Sequence, residues 1–453
     1  MAQWNKNNQD YLNQERTLFE VFMCADRYGN IGNCGVTTGA GSGGYDAFGR
    51  SRISEPFTLA DYSHQYGLNE EILTKKVGAA STVEHLRNKA SASLVVGTDN
   101  THYVVHQTRM YHHYMPGKSQ FALSSFNFQG PRENTVKRTG YYDDKNGVFV
   151  QLSGDNTVSI VKRDNVAGVV TDLVVNQSDW NLDKLDGTTQ SGIGLTFTAT
   201  QLFATDFQWL GVGRIRCGFV VGGSLIYCHE FNHSNVEENV YWSHPSLPIR
   251  CEVRNTDTAV GITSMQQICS TVLSEGGYEE SGIEFAVGST SPVLIEGFAN
   301  APDHRKCIAA IRLKNTFNSY PNRSVVRLTD LQILSLSASC KWSIYRLPNN
   351  ASVSGGTWQS AGDESAVEYN VGIGTNFNLT DAYQKSSGYV SANNPSGKQA
   401  AGTIQLSPSS AKQNYIAQNI DSDDSNLFAV IVENLVSNSD TDVYASFQWR
   451  ETR

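Results

Sequence analysis

Residues 229–233 read His-Glu-Phe-Asn-His, which matches the H-E-x-x-H pattern of zinc proteases. In those enzymes the pattern lies on a helix, so that two imidazoles one turn apart bind zinc beside a glutamate base. Here the segment follows an apolar run that predicts a hairpin, and on an extended strand residues 229 and 233 would lie about 13 Å apart. We therefore favour a structural polar cluster at a sheet edge, and we predict no catalytic residue, no metal site and no cofactor.

Two further groups of polar residues can each be interpreted either as a functional site or as part of the structure. The first group brackets a predicted strand and a tyrosine-rich turn, and it consists of His102, His106, His112 and His113. These histidines fit a metal cluster, a pH sensor or packing at an interface, and we favour packing. The second group is the acidic run 421–426, which lacks the glycine and the distal glutamate of a helix-loop-helix calcium site. It predicts a solvated turn.

Carboxylate pairs that would suit glycoside hydrolysis are also available. The candidates are Asp143, Asp144, Asp183 and Asp186. A chain with 44 acidic residues offers such pairs by coincidence, however. The sequence contains no G-x-S-x-G elbow, no phosphate-binding G-x-x-x-x-G-K-[ST] loop and no paired Cys/His signature. These observations give no positive case for an enzyme.

Composition excludes several other classes of protein. The 453 residues carry a formal net charge of −9, which disfavours direct binding to a nucleic acid backbone. Charged residues make up only 17% of the chain, and the high content of glycine and aromatic residues favours strands and turns over helices. No signal peptide and no apolar run of membrane-spanning length is visible, so we expect no membrane insertion. The eight cysteines form no C-x-x-C pair, which predicts free thiols in a reducing cytoplasm.

The pattern along the chain predicts an all-β fold with an extended N-terminal arm. The arm spans residues 1–70 and includes a glycine-rich strap at residues 29–49. Short apolar runs separated by turn residues follow, as in jelly rolls and lectin-like sandwiches. We predict one antiparallel β-sandwich over residues 71–258 and a second over residues 259–453.

Several segments of the sequence resemble a known group of proteins. Residues 45–62 (YDAFGRSRISEPFTLADY) and residues 7–20 (NNQDYLNQERTLFE) resemble stretches of virion structural proteins from tailed bacteriophages of marine cyanobacteria and related marine bacteria. The similarity continues through five shorter segments: RTGYYDDKNG at 138–147, WNLDKLDG at 180–187, GIGL at 192–195, WLGVG at 209–213 and QICSTVLSEGGY at 267–278. The resemblance covers about the first 280 residues.

The resemblance implies a non-enzymatic component of the virion, assembled in the host cytoplasm. We expect a tail, neck or fibre-associated subunit whose partners are copies of itself and other virion proteins. The alternative is a capsid-decorating or host-receptor protein that binds a surface glycan, on which exposed aromatic residues such as Trp180, Trp209 or Trp242 would stack. For each of these tryptophans we favour a buried position. In the first case the arm would bind a neighbouring subunit or another particle protein, partly by strand addition. The other possibility is that the arm residues pack on the first sandwich of the same chain. The predicted arm contacts are Trp4, Tyr11, Leu18, Phe19, Arg50, Arg52 and Pro56.

Overall fold

The structure of the chain is a computed structural model, and it describes residues 56–453 apart from 71, 167, 278–281, 300–302, 393–401 and 406–414. Six of the predicted arm contacts therefore lie outside the described residues: Trp4, Tyr11, Leu18, Phe19, Arg50 and Arg52. The seventh, Pro56, is the first residue of the first described strand. The role of the arm stays a prediction.

The described residues form strands and contain no α-helix. Three short 3-10 turns occur at Arg87–Lys89, Gln177–Asp179 and Asn350–Ser352. The strands of the first half are β1 (Pro56–Ser63), β2 (Leu73–Val77), β3 (Ser81–Leu86), β4 (Ser91–Val96), β5 (Tyr103–Thr108), β6 (Ser119–Asn127), β7 (Thr135–Tyr142), β8 (Gly147–Ser153), β9 (Val158–Val166), β10 (Val169–Asn176), β11 (Gln201–Phe207), β12 (Ile215–Val221), β13 (Ser224–Phe231), β14 (Ile249–Asn255) and β15 (Thr263–Glu275). The strands of the second half are β16 (Ile283–Gly288), β17 (Val293–Ile295), β18 (Arg305–Leu313), β19 (Thr316–Phe317), β20 (Tyr320–Pro321), β21 (Val325–Ser335), β22 (Cys340–Leu347), β23 (Gln359–Ser360), β24 (Val367–Asn370), β25 (Tyr383–Val390), β26 (Gly402–Gln405), β27 (Tyr415–Ile416), β28 (Leu427–Asn434) and β29 (Thr441–Thr452).

Two antiparallel sheets build the first sandwich. Sheet A has the order β13-β12-β11-β6-β15-β4-β3, with β1 pairing β15, and sheet B has the order β10-β9-β8-β7-β14-β5-β2. Strand β6 shows why the sequence folds this way, because alternate residues are buried along its whole length. The core lies between the sheets, where Leu94 and Phe126 of sheet A share one apolar cluster with Val150 and Val253 of sheet B.

The second sandwich repeats this plan. Sheet C has the order β16-β29-β21-β26, with β17 and β27 attached, and sheet D has the order β23-β24-β18-β28-β22-β25. Every second residue of β29 is buried from Thr441 to Glu451, which is the period expected of a half-buried strand. Leu331 and Phe447 of sheet C pack with Ile311 and Val430 of sheet D. The prediction of two antiparallel β-sandwiches is confirmed.

Both predicted boundaries need correction. Strand β15 lies inside sheet A, where it pairs with β4 and β6, so the first sandwich ends at Glu275 and not at residue 258. Strand β1 also pairs with β15, so sheet A already begins at Pro56, within the segment predicted as arm. Tyr62 of β1 is buried. The chain therefore enters the first sandwich before residue 70.

The two sandwiches share a junction within the compact unit Phe57–Arg453. An apolar cluster joins them, and its buried members are Tyr62, Ile72, Leu73, Met110, Val325, Tyr415 and Ala417. Polar contacts surround this cluster. The Lys76 ammonium lies 2.5 Å from the Asp421 carboxylate, and the Arg323 guanidinium lies 4.5 Å from the centre of the Tyr111 ring. The acidic run 421–426 thus contributes a contact between the sandwiches rather than only a solvated turn.

Candidate functional site

The His229–His233 segment lies at the end of β13 and is not helical. The Nδ1 of His229 accepts the backbone N–H of Asn181 at 3.2 Å. The Nδ1 of His233 donates to the carbonyl of Gly213 at 2.6 Å, and its Nε2 lies 3.1 Å from the Lys162 ammonium. Each ring is therefore bonded within the chain. In the described part of the chain, no group of three His, Cys, Asp or Glu side chains has the geometry to hold a metal ion.

Lys162 organises this region from the middle of β9. Its side chain is 3% exposed, and its ammonium contacts Asp164 at 3.0 Å and Glu237 at 3.3 Å as well as His233. The His233 ring stacks on Tyr241 with 3.9 Å between the centroids. Burial raises the pKa of Asp164. These contacts attach the loop after β13 to β9, which is the inner strand of the β9–β10 hairpin.

Two of the four predicted histidines, His106 and His112, are buried in the first sandwich, whereas His102 and His113 are half-buried. His112 donates from Nδ1 to the carbonyl of Leu247 at 2.8 Å, and its Nε2 accepts the hydroxyl of Tyr62 at 3.0 Å. The Nδ1 of His106 bonds the Gln267 side-chain oxygen at 2.7 Å. Burial lowers the pKa of His106 and of His112 to about 4. Both imidazoles are therefore neutral packing groups near neutral pH.

The predicted carboxylates are used to hold loops. Asp143 accepts the backbone N–H groups of Lys145 and Asn146, both at 2.8 Å. Asp183 accepts the N–H of Leu185 and of Ser191, each at 2.9 Å. Asp144 differs, because it forms a long-range ion pair with the buried Arg250 guanidinium at 2.5 Å. Asp186 accepts the N–H of Thr188 in its own loop. Such local bonds stabilise turns and do not form a pair of catalytic acids.

Two of the three tryptophans proposed for sugar stacking are in the core. Trp180 is 3% exposed and Trp242 is completely buried. Trp209 is half-buried and makes an edge contact with Tyr114. A glycan-binding platform needs an accessible ring face. Trp180 and Trp242 do not offer one.

The feature that stands out is β10, the outermost strand of sheet B. It pairs with β9 from Val169 opposite Val166 to Asn176 opposite Ser159, without a register shift. No other strand of the described residues pairs with β10. The turn between β9 and β10 passes through Gly168, whose φ of 83° is readily adopted only by glycine. Within the part of the chain that the structure describes, one backbone edge of this hairpin is therefore open.

The side chains of β10 are unusually apolar for an open edge. Four of them are exposed: Val169 by 63%, Val170 by 44%, Leu173 by 50% and Val174 by 51%. The one ionised residue of the strand, Asp172, is held by Arg163 of β9 through two hydrogen bonds of 2.8 Å. Its charge is thus balanced within the hairpin. Val175 turns inward and packs on the core of the first sandwich.

Three other strands at sheet ends carry features that discourage pairing with another chain. Lysines, bulges and irregular register have this effect on an edge. Strand β25 contains Lys385 and has a register shift against β22, and β2 contains Lys75 and Lys76. Strand β13 has a register shift opposite Cys217. The end strands β3, β16 and β10 have none of these features. Of these three, β10 is the longest and has the most exposed apolar side chains, so it is the best candidate for an interface.

No motif in the sequence pointed to β10, although a signal was present. Residues 169–175 are rich in β-branched side chains and follow Gly168, which is typical of the second strand of a hairpin. Both faces of the strand carry valines, so the polar and apolar residues do not alternate. Only the structure shows that these valines are exposed.

Comparisons with known proteins find solved structures of low similarity. No family model and no curated protein matches this chain. A protein of unknown function from Shewanella oneidensis is similar over 51% of this chain and 91% of its own, with a TM-score of 0.33 and 8% identity. A family 16 glycoside hydrolase from a mixed-linkage glucan utilisation locus of Bacteroides ovatus is similar over 47% of this chain and 99% of its own. Its TM-score is 0.33 and its sequence identity is 9%.

A third solved structure, described as an immunostimulatory antigen and pseudo β-1,3-glucanase of Mycobacterium tuberculosis, covers 44% of this chain and 79% of its own. Its TM-score is 0.28 and its identity is 12%. At these values the matches carry no argument about activity. Among the described residues, no helix has both the length and the apolar character needed to cross a membrane.

Proposed function

We propose that this chain is a non-enzymatic structural subunit of a tailed-phage particle, which assembles with copies of itself and with other particle proteins. The observation that carries the proposal is the open apolar edge of β10. A free protein seldom leaves such an edge unpaired, because the row of backbone N–H and C=O groups is a template for another strand. Strand addition at this edge would supply backbone hydrogen bonds, and the exposed valines and Leu173 would supply apolar contact.

Two further observations support a structural role. The side chains that first pointed to chemistry are bonded within the chain: His233 to Gly213 and Lys162, and Asp183 to its own loop. The cysteines in the described ranges are free thiols, and most of them are buried. Free buried thiols suit a protein that folds in a reducing cytoplasm, where virion subunits would be assembled. The assignment to a phage particle, as a tail, neck or fibre-associated subunit, rests on the sequence resemblance.

Light scattering on the full-length chain tests the proposal. We expect an oligomer for the unmodified protein and a monomer of 49.7 kDa for the variant Val170→Lys/Val174→Lys, because two ammonium groups on the open edge resist burial. The matched control is Tyr383→Lys/Tyr389→Lys, which changes two exposed aromatic residues on the edge strand β25. This control should keep the mass of the unmodified chain. A monomer for the unmodified chain at its highest soluble concentration would overturn the proposal.

The predicted arm needs a separate deletion. Removal of residues 1–60 would cut into β1, so the deletion should stop at residue 55. If the arm binds a neighbouring subunit, the truncated chain should form a smaller assembly than the full chain. An unchanged mass would show that residues 1–55 are not needed for self-assembly.

A further inference from the structure

We infer that the strand that pairs with β10 is β10 of a second copy of this chain, arranged antiparallel about a two-fold axis perpendicular to sheet B. This inference rests on the proposed function, because it names the partner at the same edge. The two copies of sheet B would then form one continuous sheet across the interface. The N-terminal arm and other particle proteins would remain free to make different contacts.

The charge of the hairpin suits an identical partner. Asp172 is neutralised by Arg163 of the same chain, and Lys162 of the neighbouring strand is neutralised by Asp164. The open edge therefore presents apolar side chains and uncharged backbone. Two such edges meet without opposing charges at their centre, and an interface between identical copies is self-complementary about a two-fold axis. A partner recognised by charge would need an unpaired ionised residue on β10, and the strand has none.

The sequence of β10 selects the register. Residues directly opposite each other in an antiparallel pair lie on the same face, so a perpendicular two-fold axis places one residue opposite its own copy. Near the middle of the strand the choices are Thr171, Asp172, Leu173 and Val174. A register centred on Asp172 sets two carboxylates opposite each other, which is unfavourable. A register centred on Thr171 pairs only residues 169–173 of β10, and one centred on Val174 pairs only residues 172–176.

A register centred on Leu173 pairs residues 170–176 and avoids the contact between carboxylates. Leu173 then faces Leu173 of the second copy, and Thr171 faces Val175. On the other face, Val174 lies opposite Asp172. The half-exposed Leu173 side chain becomes the centre of the interface. Apolar side chains directly opposite each other are the pairs that stabilise a sheet.

Cysteine cross-linking tests the partner and the register together. The background chain carries Cys24→Ser, Cys34→Ser and Cys269→Ser, because Cys269 is exposed and the other described thiols are buried. Into this background we introduce Thr171→Cys, Asp172→Cys or Leu173→Cys, each alone. The residue on the two-fold axis is the one that meets its own copy, so mild oxidation should convert Leu173→Cys to a covalent dimer of twice 49.7 kDa. The control Tyr389→Cys, on β25, should stay monomeric under denaturing conditions.

Each other outcome has a distinct meaning. Preferential cross-linking at residue 171 or 172 would overturn the register while supporting the second copy as partner. A second outcome is that none of the three positions cross-links while the light-scattering mass still depends on Val170 and Val174. This result would overturn β10 of a second copy as the partner, but it would leave the assembly proposal standing. A chain that is monomeric by light scattering and does not cross-link would overturn both.

Discussion

Acid should destabilise this protein through two buried histidines. His106 and His112 are 2% and 0% exposed, and burial lowers the pKa of each to about 4 from an ordinary value of 6.5. Between those two values the unfolded chain binds protons that the folded chain does not bind. The free energy of unfolding therefore falls as the pH drops from about 6.5 to about 4.

The size of the effect follows from the two shifts. A difference of one pKa unit corresponds to about 1.4 kcal/mol, so each histidine lowers the stability by about 3.5 kcal/mol across this range and the pair by about 7 kcal/mol. A typical protein has only about 5–15 kcal/mol of stability. We therefore expect unfolding in mild acid, with loss of the Tyr62–His112 hydrogen bond that holds β1 to the interior.

Urea unfolding followed by tryptophan fluorescence, repeated from pH 7 to about 4.5, measures this dependence. The variant His112→Asn keeps an N–H donor for the Leu247 carbonyl but cannot take up the proton. It should be less stable at pH 7, and its loss of stability on acidification should be smaller than that of the unmodified chain by about 3.5 kcal/mol. The control is His102→Asn, at a partly exposed ring. An unchanged pH dependence in His112→Asn would refute the reasoning.

Three other predictions follow from local geometry. Lys137 donates to the carbonyls of Phe128, Gly130 and Ser264 at 2.7–2.8 Å. The variant Lys137→Met should therefore lower the free energy of unfolding by about 3–6 kcal/mol, measured by urea titration. A loss below about 1 kcal/mol would show that these hydrogen bonds contribute little. A Cβ on Gly140 would lie 2.4 Å from the carbonyl oxygen of Val148. The variant Gly140→Ala should therefore lower the free energy of unfolding by about 2–3 kcal/mol in the same urea titration. A urea midpoint equal to that of the unmodified chain would contradict the close approach of β7 and β8. Equilibrium dialysis with zinc should find no stoichiometric ion that is lost in His229→Ala/His233→Ala, whereas one such ion per chain would restore the metal interpretation.

The sequence was sufficient to predict the fold class, because the alternation of buried residues is a local property. Strands such as β6 and β29 show it directly. The sheet to which a strand belongs is not local. Strand β15 alternates like any half-buried strand, and only its pairing of Met265 with Leu94 places it in the first sandwich. The predicted boundary at residue 258 was therefore wrong for a reason that periodicity does not reveal.

The candidate site was less predictable. The pattern at residues 229–233 pointed to zinc, and strand geometry argued against it before the contacts of His233 with Gly213 and Lys162 were known. The exposed edge of β10 depends on what does not pack against it. A run of valines in a buried central strand and the same run in an open edge strand have the same local sequence. Exposure of Val169 and Leu173 is a property of the assembled sheet.

If the chain assembles through β10, the open edge of this strand is covered when copies of the chain associate. Hydrogen exchange of the full-length chain at low and high protein concentration measures this claim. We predict that peptides covering residues 169–176 exchange more slowly at high concentration, while peptides from β25 exchange at the same rate at both concentrations. The contrary result is that the chain forms oligomers at high concentration while the exchange rate of residues 169–176 stays the same. That result would contradict assembly through β10.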